Sequence, residues 1–262
     1  MGGKVMAQKV ASDHKEISNH ELQYKKRRQA KIVDLGGGRV KVLVWELPIR
    51  IWHWVTALAI VILLVTGFYI GRPVVSPGTD GSADPYLMGW MRLTHFVAGF
   101  VFMLGLIVRA YWTLFGNRYT TFDVYKKGYI RGFWETVKFY LFLRHKKPHW
   151  IGHNPMAQFA YWVLFGGCSL ILSLTGMYLF VEPQPDTLLG KSFIWVGTLF
   201  GNSTIPRDLH LWAAWIIVVF IILHIYLAFR EEYLERNGTM GSIFSGWKID
   251  RKKYIVSEED DK

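Results

Sequence analysis

Four of the nine histidines in this 262-residue chain, His53, His95, His210 and His224, stand inside apolar runs. The last two share the stretch Arg207 to Arg230, RDLHLWAAWIIVVFIILHIYLAFR, fourteen residues apart. In an α-helix that spacing falls ~40° short of four turns, so both imidazoles share one face while standing ~21 Å apart along the axis. Metal–nitrogen bonds of ~2 Å cannot bridge such a gap, and the two side chains therefore serve two sites. Histidine is also where metal chemistry must rest. The single cysteine, Cys168, lies in an apolar run, which leaves no disulfide framework, iron–sulfur ligand set or thiolate zinc site.

The elements that position these residues follow from composition. With 51% hydrophobic, 16% aromatic and 19% charged residues and a mean hydropathy of +0.17, the chain reads as a polytopic membrane protein. Apolar segments at about 51 to 71, 92 to 115, 157 to 181 and 209 to 229 each approach the ~20 residues that a bilayer demands. The expected fold is an all-α four-helix transmembrane bundle over residues 46 to 235. Residues 1 to 45, with the run Lys25, Lys26, Arg27, Arg28 and three successive glycines, read as a flexible basic tail with a short strand around Val40 to Val44, and 236 to 262 as a second tail. No apolar core with a small-residue cleavage site marks a secretory signal, so no processing is expected.

The formal net charge of +11 gathers in the tails and one loop, which favours membrane topology over nucleic acid. Lysine plus arginine number eleven in residues 1 to 50, one in 72 to 90, eight in 116 to 155 and two in 182 to 207. Positive residues mark the cytoplasmic side, so both termini and the middle loop are expected inside. A short internal repeat accompanies this. Thr66-Gly67-Phe68-Tyr69 and Thr175-Gly176-Met177-Tyr178 close the first and third spans, while Arg92-x-x-His95 and Arg207-x-x-His210 open the second and fourth.

Depth then pairs the histidines: His95 with His210 near the outer surface, His53 with His224 near the inner. Two facing imidazoles are an axial pair for a six-coordinate haem iron, a state suited to electron transfer. A single intramembrane histidine is accounted for by a bond to a neighbouring helix or by snorkelling, whereas four that pair by depth point to ligation. The rival from another class is a histidine-lined ion or proton transporter. Small residues such as Gly99 would leave room for a flat macrocycle. Arg50, Arg92 and Arg207 each precede a histidine by three residues and could neutralise haem propionates, although snorkelling at a helix end accounts for each singly. Arg109, inside an apolar stretch at the inner depth, needs such a partner more. His14, His20, His145 and His149 read as solvated. His153, Asn154 and Gln158 form a polar cluster at the start of the third span, with Asn154 as N-cap and Pro155 in the first turn; the cluster could also hydrogen-bond a quinone. The twelve tryptophans read as interfacial belts and packing.

Arg50 to Gly67, RIWHWVTALAIVILLVTG, and Arg207 to His224, RDLHLWAAWIIVVFIILH, resemble the two signatures of the b-type cytochrome subunit of membrane-bound nickel-iron hydrogenases. GNRY at 116 to 119, YLFLR at 140 to 144, GHNPMAQ at 152 to 158 and SGW at 245 to 247 agree further, over about residues 45 to 250. Leu211 departs, since the pattern prefers a basic residue there. The resemblance implies two haem b groups in a bacterial inner-membrane protein that is an electron-transfer subunit rather than a stand-alone enzyme. It implies as partners a periplasmic iron–sulfur small subunit and nickel-iron large subunit, with quinone as acceptor. The cytochrome b of formate dehydrogenase or thiosulfate reductase is the close alternative, and the polar loop before span three in the former supports Asn154 and Gln158 here.

Overall fold

The computed structural model describes residues 30–73, 86–121, 128–145 and 148–254. Two strands, β1 (Ile32–Gly36) and β2 (Arg39–Leu43), lead into α1 (Leu47–Gly71), which is followed by α2 (Leu87–Phe115) and the short α3 (Tyr129–Tyr140). Next come α4 (Pro155–Val181), two short helices α5 (Leu188–Phe193) and α6 (Trp195–Phe200), α7 (Thr204–Glu235), α8 (Thr239–Ser245) and β3 (Trp247–Arg251). Four of these helices, α1, α2, α4 and α7, are long and apolar enough to cross a membrane. Large apolar side chains such as Leu58, Ile107, Val219 and Ile222 point outward from all round the bundle, as a lipid-facing surface requires. The chain is thus a four-helix membrane protein, as its apolar windows predict.

Each span runs past its apolar window. The fourth begins at Thr204 rather than 209 and ends at Glu235 rather than 229, because helical hydrogen bonding continues through polar residues that water accepts. The third opens as its sequence predicts: Asn154 Oδ1 accepts from Ala157 N at 2.7 Å, and Pro155 occupies the first turn. Over Ala160–Gly166 this helix widens into a π-helical stretch that no residue pattern announced.

Over the described residues the regions read as tails carry a short sheet, whose middle strand β2 lies where a strand around Val40 to Val44 is expected. Val40, Val42 and Val44 alternate inward at 2%, 0% and 0% exposure, and β2 pairs antiparallel with both β1 and the C-terminal β3, in register from Arg39 opposite Arg251 to Leu43 opposite Trp247. Apolar alternation lets this short sheet bury a face over Trp45, Ile49 and Ile151. Val44 N and Trp45 N both donate to Gly246 O, at 2.9 and 3.0 Å, so the start of α1 and the chain beyond α7 are clasped together. Glu46 Oε2 accepts from Trp112 Nε1 at 2.9 Å and Asn117 N at 3.1 Å, tying the end of α2 to the same platform. His14, His20 and the run Lys25 to Arg28 lie outside the described residues.

His149, read from sequence as solvated, is instead part of this clasp. Its Nε2 lies 2.9 Å from Asp250 Oδ2, its Nδ1 3.7 Å from Glu235 Oε1, and its ring stacks on Tyr254 at 4.0 Å. The hydrogen bond to Asp250 and then the Glu235 carboxylate beside the ring raise its pKa to about 10. A raised folded-state pKa means the contribution is complete below the ordinary value of ~6.5 and is lost as pH climbs through about 10. Protease protection of the C-terminal strand should therefore decline between those limits, and His149→Gln should flatten that pH dependence. His145 is exposed, as expected.

Candidate functional site

The four histidines meet two by two. His53 on α1 faces His224 on α7, and His95 on α2 faces His210 on α7; in both pairs the ring centroids are 6.4 Å apart, with interplanar angles of 57° and 59°. Imidazoles gripping one ion from opposite sides, with bonds of ~2 Å and ring centres ~1.1 Å behind the nitrogens, stand about 6 Å centre to centre. The separation fits an ion between each couple. Among the described residues no three of His, Cys, Asp or Glu converge on a common point, so neither couple is joined by further protein ligands. A metal that brings its own equatorial donors, as haem iron does, matches that donor set.

Hydrogen bonds at the back of the rings agree. His95 Nδ1 lies 2.9 Å from Thr66 Oγ1 and His210 Nδ1 lies 2.9 Å from Thr175 Oγ1. Each threonine gives its own proton to a carbonyl in its helix, Thr66 to Ile62 at 2.7 Å and Thr175 to Ile171 at 2.6 Å, so each hydroxyl accepts from the imidazole. The proton is then on Nδ1, which leaves the Nε2 lone pair of each ring free to bind a metal. On the following residues, a Cβ added at Gly67 would stand 3.0 Å from His95 Cε1, and one at Gly176 3.2 Å from His210 Cε1. Glycine lets both rings approach. At Gly99, where sequence suggested room, the nearest atom is Leu63 Cδ2 at 4.0 Å.

The Thr-Gly repeat therefore has a structural meaning: each half of the bundle supplies one helix with a histidine and one with the threonine that bonds it at this end. The other end breaks the pattern. Superposing the repeats puts Arg109 on His224 and Trp162 on His53, and the Arg109 guanidinium stands 5.2 Å from the Trp162 ring centre. His224 Nδ1 bonds Tyr161 OH at 2.7 Å, while His53 Nδ1 is buried with no hydrogen-bond partner among the described residues. Between the two ends Ala59, Ile60, Phe102, Cys168, Ala213 and Ile217 form a buried apolar layer.

The arginines divide. Arg109 bonds Thr113 Oγ1 at 2.6 Å and Thr120 O at 3.1 Å, and lies over Trp52 as well as Trp162. Arg207 pairs with Glu182 and bonds Ser203 O, Arg50 bonds Phe244 O, and Arg92 is exposed. His153 is sandwiched between Trp45, at 4.8 Å, and Tyr161, at 4.5 Å; Gln158 Nε2 bonds its carbonyl at 3.3 Å. Burial foremost, then the positive charge of Lys248, takes the His153 pKa down to about 3, so its ring is neutral. Thr66, Thr175 and Tyr161 carry this site, yet sequence marked only the first two, as an unexplained repeat.

The chain matches the family described as prokaryotic cytochrome b561 over residues 44–246. It is 38% identical over 234 residues to the probable Ni/Fe-hydrogenase B-type cytochrome subunit of Azotobacter vinelandii, covering 84% of this chain and 95% of that protein. A probable subunit of the same description from Cupriavidus necator is 38% identical over 213 residues, covering 78% and 86%. The probable Ni/Fe-hydrogenase 1 B-type cytochrome subunit of Escherichia coli K12 is 35% identical over 233 residues, covering 82% and 94%.

Proposed function

The chain belongs to the prokaryotic cytochrome b561 family, and on that premise we propose that it is the membrane cytochrome b of a nickel-iron hydrogenase, relaying electrons from dihydrogen to quinone. His53 with His224 and His95 with His210 would each hold one haem b. The 6.4 Å ring separation, the same in two couples, is the observation that carries this reading. Iron ligated by imidazole on both faces supplies reversible one-electron transfer.

The protein's own part is to hold, orient and insulate. Thr66 and Thr175 orient two of the ligands, Tyr161 a third. The apolar layer between the couples denies ions and protons a polar path, which speaks against a histidine-lined transporter. Arg109 is the cation best placed to balance a propionate near His53 and His224; Arg50, Arg92 and Arg207 could act likewise at the helix ends. The basic connections support a cytoplasmic sheet end in a bacterial inner membrane, with the hydrogenase small and large subunits on the periplasmic side beside His95 and His210. The polar start of α4 is then the quinone site: His153 offers a neutral ring and Gln158 an amide, while Asn154 has its oxygen committed to the cap and only its amide nitrogen left to offer.

Purification with the partner subunits in mild detergent, followed by spectra before and after hydrogen, tests this. Two haem b per chain, both reduced by hydrogen, is the expected result; none, or one, overturns it. In the same preparation His153→Ala with Gln158→Ala should slow quinone reduction about tenfold, the lower end of losses caused by removing oriented hydrogen-bond partners. Both haems should still be reducible by hydrogen, and unchanged quinone turnover would discard that site.

A further inference from the structure

The two ends of the bundle treat their histidines differently. At the His95–His210 end both Nδ1 atoms face threonine hydroxyls at 2.9 Å. Each hydroxyl is polarised by donating onward to a carbonyl, which makes it the better acceptor. At the His53–His224 end one Nδ1 meets a phenol and the other has no partner among the described residues. A phenol oxygen shares its lone pair with the ring and is the weaker acceptor.

Donating the Nδ1 proton to an acceptor makes an imidazole more basic and a stronger ligand for the oxidised metal. Resting on the dihaem reading above, we propose that Thr66 and Thr175 are positioning residues that fix the proton of His95 and His210 on Nδ1, holding the potential of the site between those ligands below that of the site between His53 and His224. Electrons entering at the first site then run downhill to the second. The two halves of the repeat contribute equally: one threonine, one glycine and one histidine each.

Redox titration of the visible bands in the intact complex tests this, using Thr66→Val, Thr175→Val and Thr66→Ser beside the unmodified protein. The unmodified protein should titrate in two steps, the lower absent from His210→Ala and the upper absent from His224→Ala. Each valine variant should favour the reduced form of the lower site threefold or more at fixed ambient potential, about 30 mV upward at 59 mV per tenfold for one electron. The upper step should stay in place, and Thr66→Ser should restore the lower one. A lower step that stays in place in both valine variants, or that belongs to His53 and His224, overturns the proposal. If valine costs the site its haem, recovery of haem and native midpoint by Thr66→Ser supports the proposal and failure to recover overturns it. Absence of haem from the unmodified protein is a different result, which defeats the dihaem reading itself.

Discussion

His210→Ala is expected to halve the haem content of the purified complex and to abolish its reduction by hydrogen while leaving the site at the sheet end intact. His95 alone cannot close a six-coordinate site, and its partner ring at 6.4 Å has no substitute, since no third ligand-type side chain converges there among the described residues. The loss in hydrogen-driven quinone reduction should be about 100-fold or more, beyond what second-shell changes alone produce. His224→Ala should do the converse: the His95–His210 site still reduces under hydrogen, and quinone reduction stops. Haemochrome quantitation and difference spectra of the two variants decide the matter. Equal loss of both haems in each variant, with the helical content unchanged, would sink the two-site assignment.

Gly246→Ala should have the largest effect on the clasp. Gly246 has φ +86°, where a Cβ costs ~1–2 kcal/mol in the backbone alone, and that Cβ would stand 2.5 Å from Trp45 O and 2.9 Å from Leu43 Cδ1. The atoms it strikes belong to the segment whose amides bond Gly246 O, so the clash pushes apart the join between β2 and the C-terminal strand. Thermal release of haem from the His53–His224 site should begin roughly 5 °C lower, from ~2 kcal/mol in a chain of this size, with the other site less affected. Gly241→Ala, with nothing within 4 Å of the added Cβ, is the matched control and should change neither. If the two substitutions behave alike, the clasp does not hold that end.

What sequence made legible was periodic and local. Apolar windows gave the four spans, and fourteen-residue spacing in oppositely running helices gave both couples by depth. The Asn154 cap and Pro155 first turn were readable because capping is decided within four residues. Contacts set by helix rotation were not readable: that Thr66 and Thr175 would face imidazoles depends on how neighbouring spans turn about their axes, and the π-helical stretch that carries Tyr161, bonded to His224, has no residue signature. The strand around Val40 to Val44 was readable from its alternation, but its place in a sheet was not, because one of its partners is Trp247 to Arg251, at the far end of the chain. His149 was misread for the same reason, its carboxylates being supplied by Glu235 and Asp250.

Arg109 against Trp162, standing where the repeat would otherwise set a second histidine couple, bears on how the two ends of such a molecule can differ. Two identical hairpins associating as a dimer would be obliged to carry the same residues in both copies, and any cofactor on their shared axis would see a symmetric world. Fusion into one chain lifts that obligation. One extremity carries matched threonines, glycines and histidines, whereas the other sets a cation and an indole where the repeat would place two more histidines, a lopsidedness open only to a tandem.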